Sequence, residues 1–297
     1  MCELFAINGR RDVRANGYLT EFFGHGVQNP HGWGVALRAD CLADAPDVRG
    51  RETITNDEHG LLLRWREPVE ASSSALAREL VSSPLTARHL LAHIRKATCA
   101  TLSRENCHPF VGMDVTGRTW AMVHNGVLLN EGMLWGYERR TTGQTDSERT
   151  LLFLLDVLDE ASLRNEGSLG FEKTFDALSE AIGQLGNLNK LNLILDDGQF
   201  TFVHTNTDEP TLHYREVAGA DGRTFATMFA TTPLGGEGER DAWRPVPRNR
   251  LLAYRDGRLV RASVPHGNVF CDAILAAQRA LGGIWEPQSG PLTSRSG

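Results

Sequence analysis

The feature that most constrains this chain is an interruption in its pattern. Segments that read as strands, with two short helices among them, fill the first 126 residues; two long helical patterns follow, and strands resume at Lys190. The first long helix is "SERTLLFLLDVLDEA". The second carries Phe171, Phe175, Leu178, Ile182 and Leu185 at steps of 4, 3, 4 and 3 residues, a stripe on one face. Before them, "CELFAIN", "GWGVALR", "LLLRWRE", "ARHLLAHIR" and "RTWAMVHNG" read as strands. "GYLTEFFGHG" reads as a short helix, and "SSSALARELVSS" as one opened by a serine cap. After them come "LNLIL", "FTFVHT", "TLHYREV", "FATMFAT", "LLAYRD" and "RLVRA", with Asp-Gly hairpin turns in "DDGQ" and "RDGR". Helices that do not alternate with strands exclude a doubly wound parallel sheet. The expected class is α+β, antiparallel sheets covered by helices.

Three segments carry weaker expectations. "DCLADAPDVRGRETITNDEHG" is polar and broken by Pro and Gly, and reads as an exposed excursion. "NCHPF" reads as part of a loop between two buried strands. "NVFCDAILAAQRAL" reads as a final helix, with "GPLTSRSG" a frayed tail. No repeat or long Pro/Gly/Ser linker divides the 297 residues, so one domain over 1–297 is expected, with its core at about 2–264.

Composition removes several function classes. A hydrophobic fraction of 41% supports a sizeable core, and a net charge of −6 leaves no electrostatic footprint for nucleic acid or an anionic membrane. No apolar run approaches the ~20 residues of a membrane span, and the N-terminus lacks the basic and apolar regions of a secretory signal. The five cysteines are odd in number, irregularly spaced and without a CxxC pair, which argues against a disulfide framework or a zinc cage. The expectation is a cytoplasmic chain with free thiols. Phosphate-loop, dinucleotide, HExxH and GxSxG signatures are absent, and His89 and His93 read as ordinary polar histidines, so no metal and no cofactor are expected.

What remains are polar and glycine residues at the ends of apolar strands. Cys2 directly follows Met1; "HIRKAT" places Arg95 and Thr98 where a strand runs out, "HNG" places Asn125 and Gly126, and "TDSE" places Asp146 at a helix start. Each has an ordinary reading: a buried small thiol, a strand-end salt bridge, a common turn pair, a helix cap from Thr145 or Asp146. Together they fit an acyl-transfer site. With Met1 removed, Cys2 would carry a thiol and a free α-amine of pKa ~8 able to take its proton. An Asn amide plus the next backbone N–H supply two oxyanion donors, one arginine clamps an α-carboxylate, and one aspartate pairs with an α-amine.

In order along the chain, "MCELFAI", "GWG", "RKAT", "NCHPF", "HNG", "TDSE", "FATTPL" and "WRPVP" make the sequence resemble the class II glutamine amidotransferases, and within them the stand-alone glutaminase-domain type. The resemblance implies a four-layer αββα sandwich of the N-terminal nucleophile (Ntn) hydrolases. It implies Cys2 as nucleophile with its own amine as base, and Asn125 and Gly126 as the oxyanion hole. Arg95 with Thr98 would bind the substrate α-carboxylate, and Asp146 with the Gly126 carbonyl its α-amine. Residues 32–34 would turn beside the nucleophile with Trp33 and Gly34 at the substrate pocket, Trp33 as its wall, and His108 and Pro109 would support a loop. The implied substrate is glutamine or a γ-glutamyl compound, with a separate ammonia-accepting synthase subunit as possible partner and a non-catalytic binding module as the remaining alternative. Three positions depart from the pattern common in relatives and bear on the pocket rim: His31, Lys96 and the Cys99-Ala100 pair.

Overall fold

The computed structural model describes residues 2–97 and 100–280. In chain order, β1 (Glu3–Arg14), α1 (Asn16–Gly24), β2 (Trp33–Ala39), β3 (Glu52–Asp57), β4 (Gly60–Glu67), α2 (Ala75–Ser82) and β5 (Thr86–Ile94) form the first third. Next come β6 (Phe110–Met113), β7 (Thr119–Val127), α3 (Asp146–Leu163), α4 (Phe171–Leu185), β8 (Lys190–Asp196) and β9 (Thr201–Thr205). The last part holds β10 (His213–Ala218), β11 (Thr224–Ala230), β12 (Arg244–Pro245), β13 (Arg250–Arg255), β14 (Arg258–Ala262) and α5 (Asp272–Ala280).

These strands make two antiparallel sheets, in the orders β12-β10-β11-β1-β5-β2-β4-β3 and β14-β13-β9-β8-β7-β6. The sheets stack face to face with helices outside, as the non-interleaved pattern requires. Strand alternation sorts the side chains into three cores. Leu4, Ala6, Leu91, Val123, Ile194 and Val203 meet between the sheets. Their neighbours Phe5, Ile7, Leu90 and Ala92 face α1 and α2, and Met122, Leu193 and Phe202 face α3 and α4. The stripe on α4 is buried as its spacing requires, apart from half-buried Phe171, whose ring stacks on Phe200 at 4.2 Å. Ser74 caps α2 by accepting from Ala77 N–H (2.9 Å), and Thr145 caps α3 by accepting from Glu148 N–H (3.2 Å).

Four local expectations need correction. The polar excursion at 40–60 contains β3, an edge strand whose Thr and Asn side chains suit water on one side. The NCHPF loop ends in β6, which begins at Phe110. β1 runs on to Arg14 through an irregularity between Asn8 and Val13. Asn125-Gly126 is no turn: the two residues lie inside β7, opposite Asn192 and Leu191. Thr98, Cys99, Met1 and the tail beyond 280 lie outside the described residues. Among the described residues no helix is long and apolar enough to cross a membrane.

Candidate active site

Period-two geometry decides which residues can meet. Cys2 precedes β1 in phase with Leu4 and Ala6, so its side chain belongs to the intersheet side. Arg95 leaves β5 in phase with Leu91, and Asn125 sits on β7 in phase with Val123. β7 packs across the sandwich against β1 and β5, with the His124 backbone beside the His93 ring. All of them therefore gather at one end of the intersheet space, with Asp146 at the first turn of α3.

The chain start is held on both sides. Leu4 N–H donates to the Thr231 hydroxyl and Thr231 N–H donates back to the Leu4 carbonyl, both at 3.0 Å. Buried Glu3 binds His25 at 2.9 Å and accepts from the Asn29 amide at 3.4 Å. Half-buried Cys2 accepts from the Lys96 N–H at 3.2 Å. Burial is the largest influence on its thiol and raises the pKa. The Lys96 backbone and the Arg95 charge act against it, while the Asp146 carboxylate adds to it. Arg95 and Asp146 thus both act on the sulfur through space, although they lie far away in sequence.

Arg95 is buried and its backbone is tied to the His31–Gly32 turn, with Arg95 N–H to Gly32 O at 2.7 Å and His31 N–H to Arg95 O at 2.9 Å. His31 Nδ1 accepts from Ala97 N–H at 2.9 Å. That bond needs a neutral ring, and burial followed by the charges of Arg95 and Lys96 lowers the His31 pKa accordingly. Gly32 has φ +141°, and a Cβ on it would stand 2.7 Å from Cys107 Sγ, so the turn needs glycine. Arg95 also donates to the Thr101 carbonyl at 3.2 Å. Asn106 Nδ2 binds the same carbonyl (3.0 Å), and its Oδ1 accepts from Gln144 N–H (2.7 Å), joining the loop after Arg95 to the approach of Asp146.

The Asn125-Gly126 pair has its own support. His124 points to the helix side, bonded to Ser147 Oγ at 3.0 Å and facing the Lys190 carbonyl at 3.3 Å. A Cβ at Gly126 would overlap that carbonyl and the His124 ring. Leu191 N–H turns toward Asn206 Oδ1 (2.8 Å), so in the alternating ladder Gly126 N–H faces away from β8. It points to the edge that β6 leaves open beyond Met122. Asn125 is buried, yet its Nδ2 has no hydrogen-bond partner. Two backbone and side-chain donors without ladder partners therefore stand next to each other.

The family model for class II glutamine amidotransferases matches residues 1–218. The chain belongs to the class II glutamine amidotransferases. Within that family it is 28% identical to YafJ of Escherichia coli over 198 residues, covering 61% of this chain and 75% of that one. Among solved structures it resembles a predicted glutamine amidotransferase from Pseudomonas aeruginosa, with TM-score 0.55, 18% identity, and coverage of 88% of this chain and 100% of that one. It also resembles the glutamine phosphoribosylpyrophosphate amidotransferase of B. subtilis, with TM-score 0.57, 16% identity, and coverage of 90% of this chain but half of that one. At these identities the structural likeness establishes the fold, that of the Ntn amidotransferases.

Other expected site residues are placed differently. Trp33 does not offer its ring to a pocket: it is fully buried among the residues facing α1, 5.1 Å from the Phe23 ring, because β2 turns its odd-numbered side chains that way. Gly34 faces the intersheet side, where a Cβ would overlap the His108 carbonyl. Its bareness admits the His108–Pro109 segment, and the His108 ring lies 4.1 Å from His93 and 4.5 Å from Phe110. Burial keeps both histidines neutral, His93 with a pKa of about 3. Sequence reasoning missed Thr231, His124 and Lys190. Lys190 is buried on the intersheet side of β8, burial lowering its pKa while Asp272 and Cys2 raise it. Among the described residues no group of three or more His, Cys, Asp or Glu could hold a metal.

Proposed function

We propose that this protein is an amidohydrolase that uses Cys2, freed of Met1, to cleave the γ-amide of glutamine or of a γ-glutamyl compound. The observation that carries the reading is that the charges of Arg95 and Asp146 both act on the Cys2 thiol, while the buried Asn125 amide on the same intersheet side has no hydrogen-bond partner. A thiol whose pKa is raised by burial is a weak nucleophile and needs a base at hand. The α-amine of a terminal Cys2 supplies it. Sγ attacks the γ-carbonyl carbon while its proton passes to the amine. The oxyanion is met by Asn125 Nδ2–H and Gly126 N–H. The C–N bond then breaks, the proton leaves with the departing amine, and water cleaves the thioester to release glutamate. Arg95 clamps the α-carboxylate and Asp146 the α-amine, fixing the γ-carbon over the sulfur.

The test compares the protein with its Cys2→Ala variant on glutamine and on a panel of γ-glutamyl amines, scoring glutamate and the released amine separately. Glutamate release that is lost in the variant supports the reading. Release unchanged by the substitution, or none from any substrate with a Cys2 terminus verified by intact mass, refutes it. Glutamate with ammonia from glutamine would mark the free amide as the substrate, and glutamate with an amine would mark a γ-glutamyl conjugate.

A further inference from the structure

The opposite end of the same intersheet space holds a cleft of about 430 Å³, lined by the middle of β1, the ends of β2 and β5 and the tips of three hairpins. Four arginines line it: Arg10, Arg38, Arg88 and Arg255. Arg38 is the floor. Its side chain is 4% exposed, and it donates to Asp57 (2.9 Å) and the Thr119 carbonyl (2.8 Å), while its Nε has no partner. Gly198 in the β8–β9 turn, at φ +88°, gives this guanidinium room that a Cβ would take. Next to it His89 binds Asp196 through Nδ1 at 2.8 Å. Burial opposes charge on His89, and the Asp196 carboxylate overcomes it and raises the pKa of the ring.

The rim is equally ordered. Arg255 is held over the Phe200 ring at 5.4 Å, and Arg10 is exposed with no ion pair among the described residues. Four acids also line the cleft. Asp57 is taken up by Arg38 and Asp40 by Arg88, while the exposed Glu58 and Asp256 face His59 (3.6 Å) and Arg255 (3.8 Å). Guanidinium forks arriving from several directions offer donors to several oxygens of one anion, as a phosphate presents them. The two exposed carboxylates, with Asn56 and Gln199, suit hydroxyl groups, and apart from two histidines no aromatic ring lines the cleft to stack a base. The volume exceeds what a bare phosphate fills.

From this juxtaposition we propose that the cleft is a second ligand site, taking a phosphate monoester of a polyol or sugar. The site is separate from the thiol chemistry, and its occupancy is readable without any activity. It is tested by calorimetric titration and thermal shift of the full chain with ribose 5-phosphate, ribose, inorganic phosphate and malate. Ribose 5-phosphate should bind saturably and raise Tm, with inorganic phosphate at least ~10-fold weaker and ribose and malate not binding. Replacing Arg10 and Arg255 together by Ala should weaken ribose 5-phosphate by ~10-fold or more while the unliganded Tm stays put. Should the double variant lose Tm, exposed Arg10→Ala alone serves, with several-fold weaker binding expected. No saturable binding of ribose 5-phosphate overturns the proposal. So does equal binding of ribose, malate or inorganic phosphate, or unchanged affinity in the variants.

Discussion

The Asn125 amide offers a test in which activity and stability should part company. Its Nδ2 is buried without a partner in the resting protein, and a buried donor left unpaired costs ~1–3 kcal/mol. Asn125→Ala removes that cost and opens a small void among Val123 and its intersheet neighbours, so the two effects oppose each other. The net change in folding free energy should lie within ~1 kcal/mol, which for a chain of this size moves Tm by no more than ~2–4 °C. Catalysis should respond very differently. Losing one oxyanion donor costs ~10²–10³ in kcat, or ~2.7–4 kcal/mol, because the donor acts where charge develops. KM should change little under the proposed roles of Arg95 and Asp146 in holding the substrate. Steady-state glutamate release alongside calorimetric melting reads both quantities on one preparation. A wild-type kcat would refute the oxyanion role. A Tm lower by more than ~8 °C would show that the amide is satisfied within the fold, removing the premise.

Further expectations follow from particular contacts. Gly126→Ala drives a Cβ into the Lys190 carbonyl and the His124 ring, so it should lower Tm steeply or abolish folding, and a Tm within ~3 °C of wild type would contradict the packing. Ala100 sits at φ +67°, a left-handed conformation that glycine adopts freely; Ala100→Gly should stabilise the protein by ~0.5–1 kcal/mol in urea unfolding, and destabilisation would refute the strain. The His89–Asp196 pair sets a pH window. The His89 pKa is raised, so its stabilisation is full below about pH 6.5 and is lost as pH climbs through the raised value. The Asp196 pKa is lowered, so its share is lost only as pH falls below the ordinary carboxylate range. Melting temperature should therefore decline between about pH 6 and pH 9, and His89→Gln should flatten that slope; an unchanged slope would place the titration elsewhere.

The parts of the fold that were legible in the sequence are those buried on both faces. β5 and β8 are centred on the apolar stretches Leu90–Ala92 and Leu193–Leu195, and α4 shows its stripe openly, because burial there favours apolar residues. β3 escaped because an edge strand tolerates Thr, Asn and Asp, the residues that otherwise mark loops. β6 escaped because four residues after a proline carry no periodicity. Trp33 was misplaced although its phase was readable: Val35 and Leu37 share its face and point to α1. The positions of Cys2, Arg95, Asn125 and Asp146 at element ends could be read singly, but their meeting depends on how two sheets stack, which no local pattern records. The same holds for Thr231, which grips Leu4 across 227 positions of sequence.

That grip has a consequence for how the molecule comes into being. β1 is flanked by β5, finished by Ile94, and by β11, which begins only at Thr224. During synthesis the first strand emerges first yet gains its second neighbour after most of the chain has followed, a delay on the order of ten seconds at ribosomal speeds. Until then one of its edges is open and its end is unclamped. This high contact order makes folding slow and leaves the nascent chain prone to wrong edge pairing. A tag or extension at the N-terminus would act on that delay, so expression from the C-terminal side is the arrangement that leaves the assembly order intact.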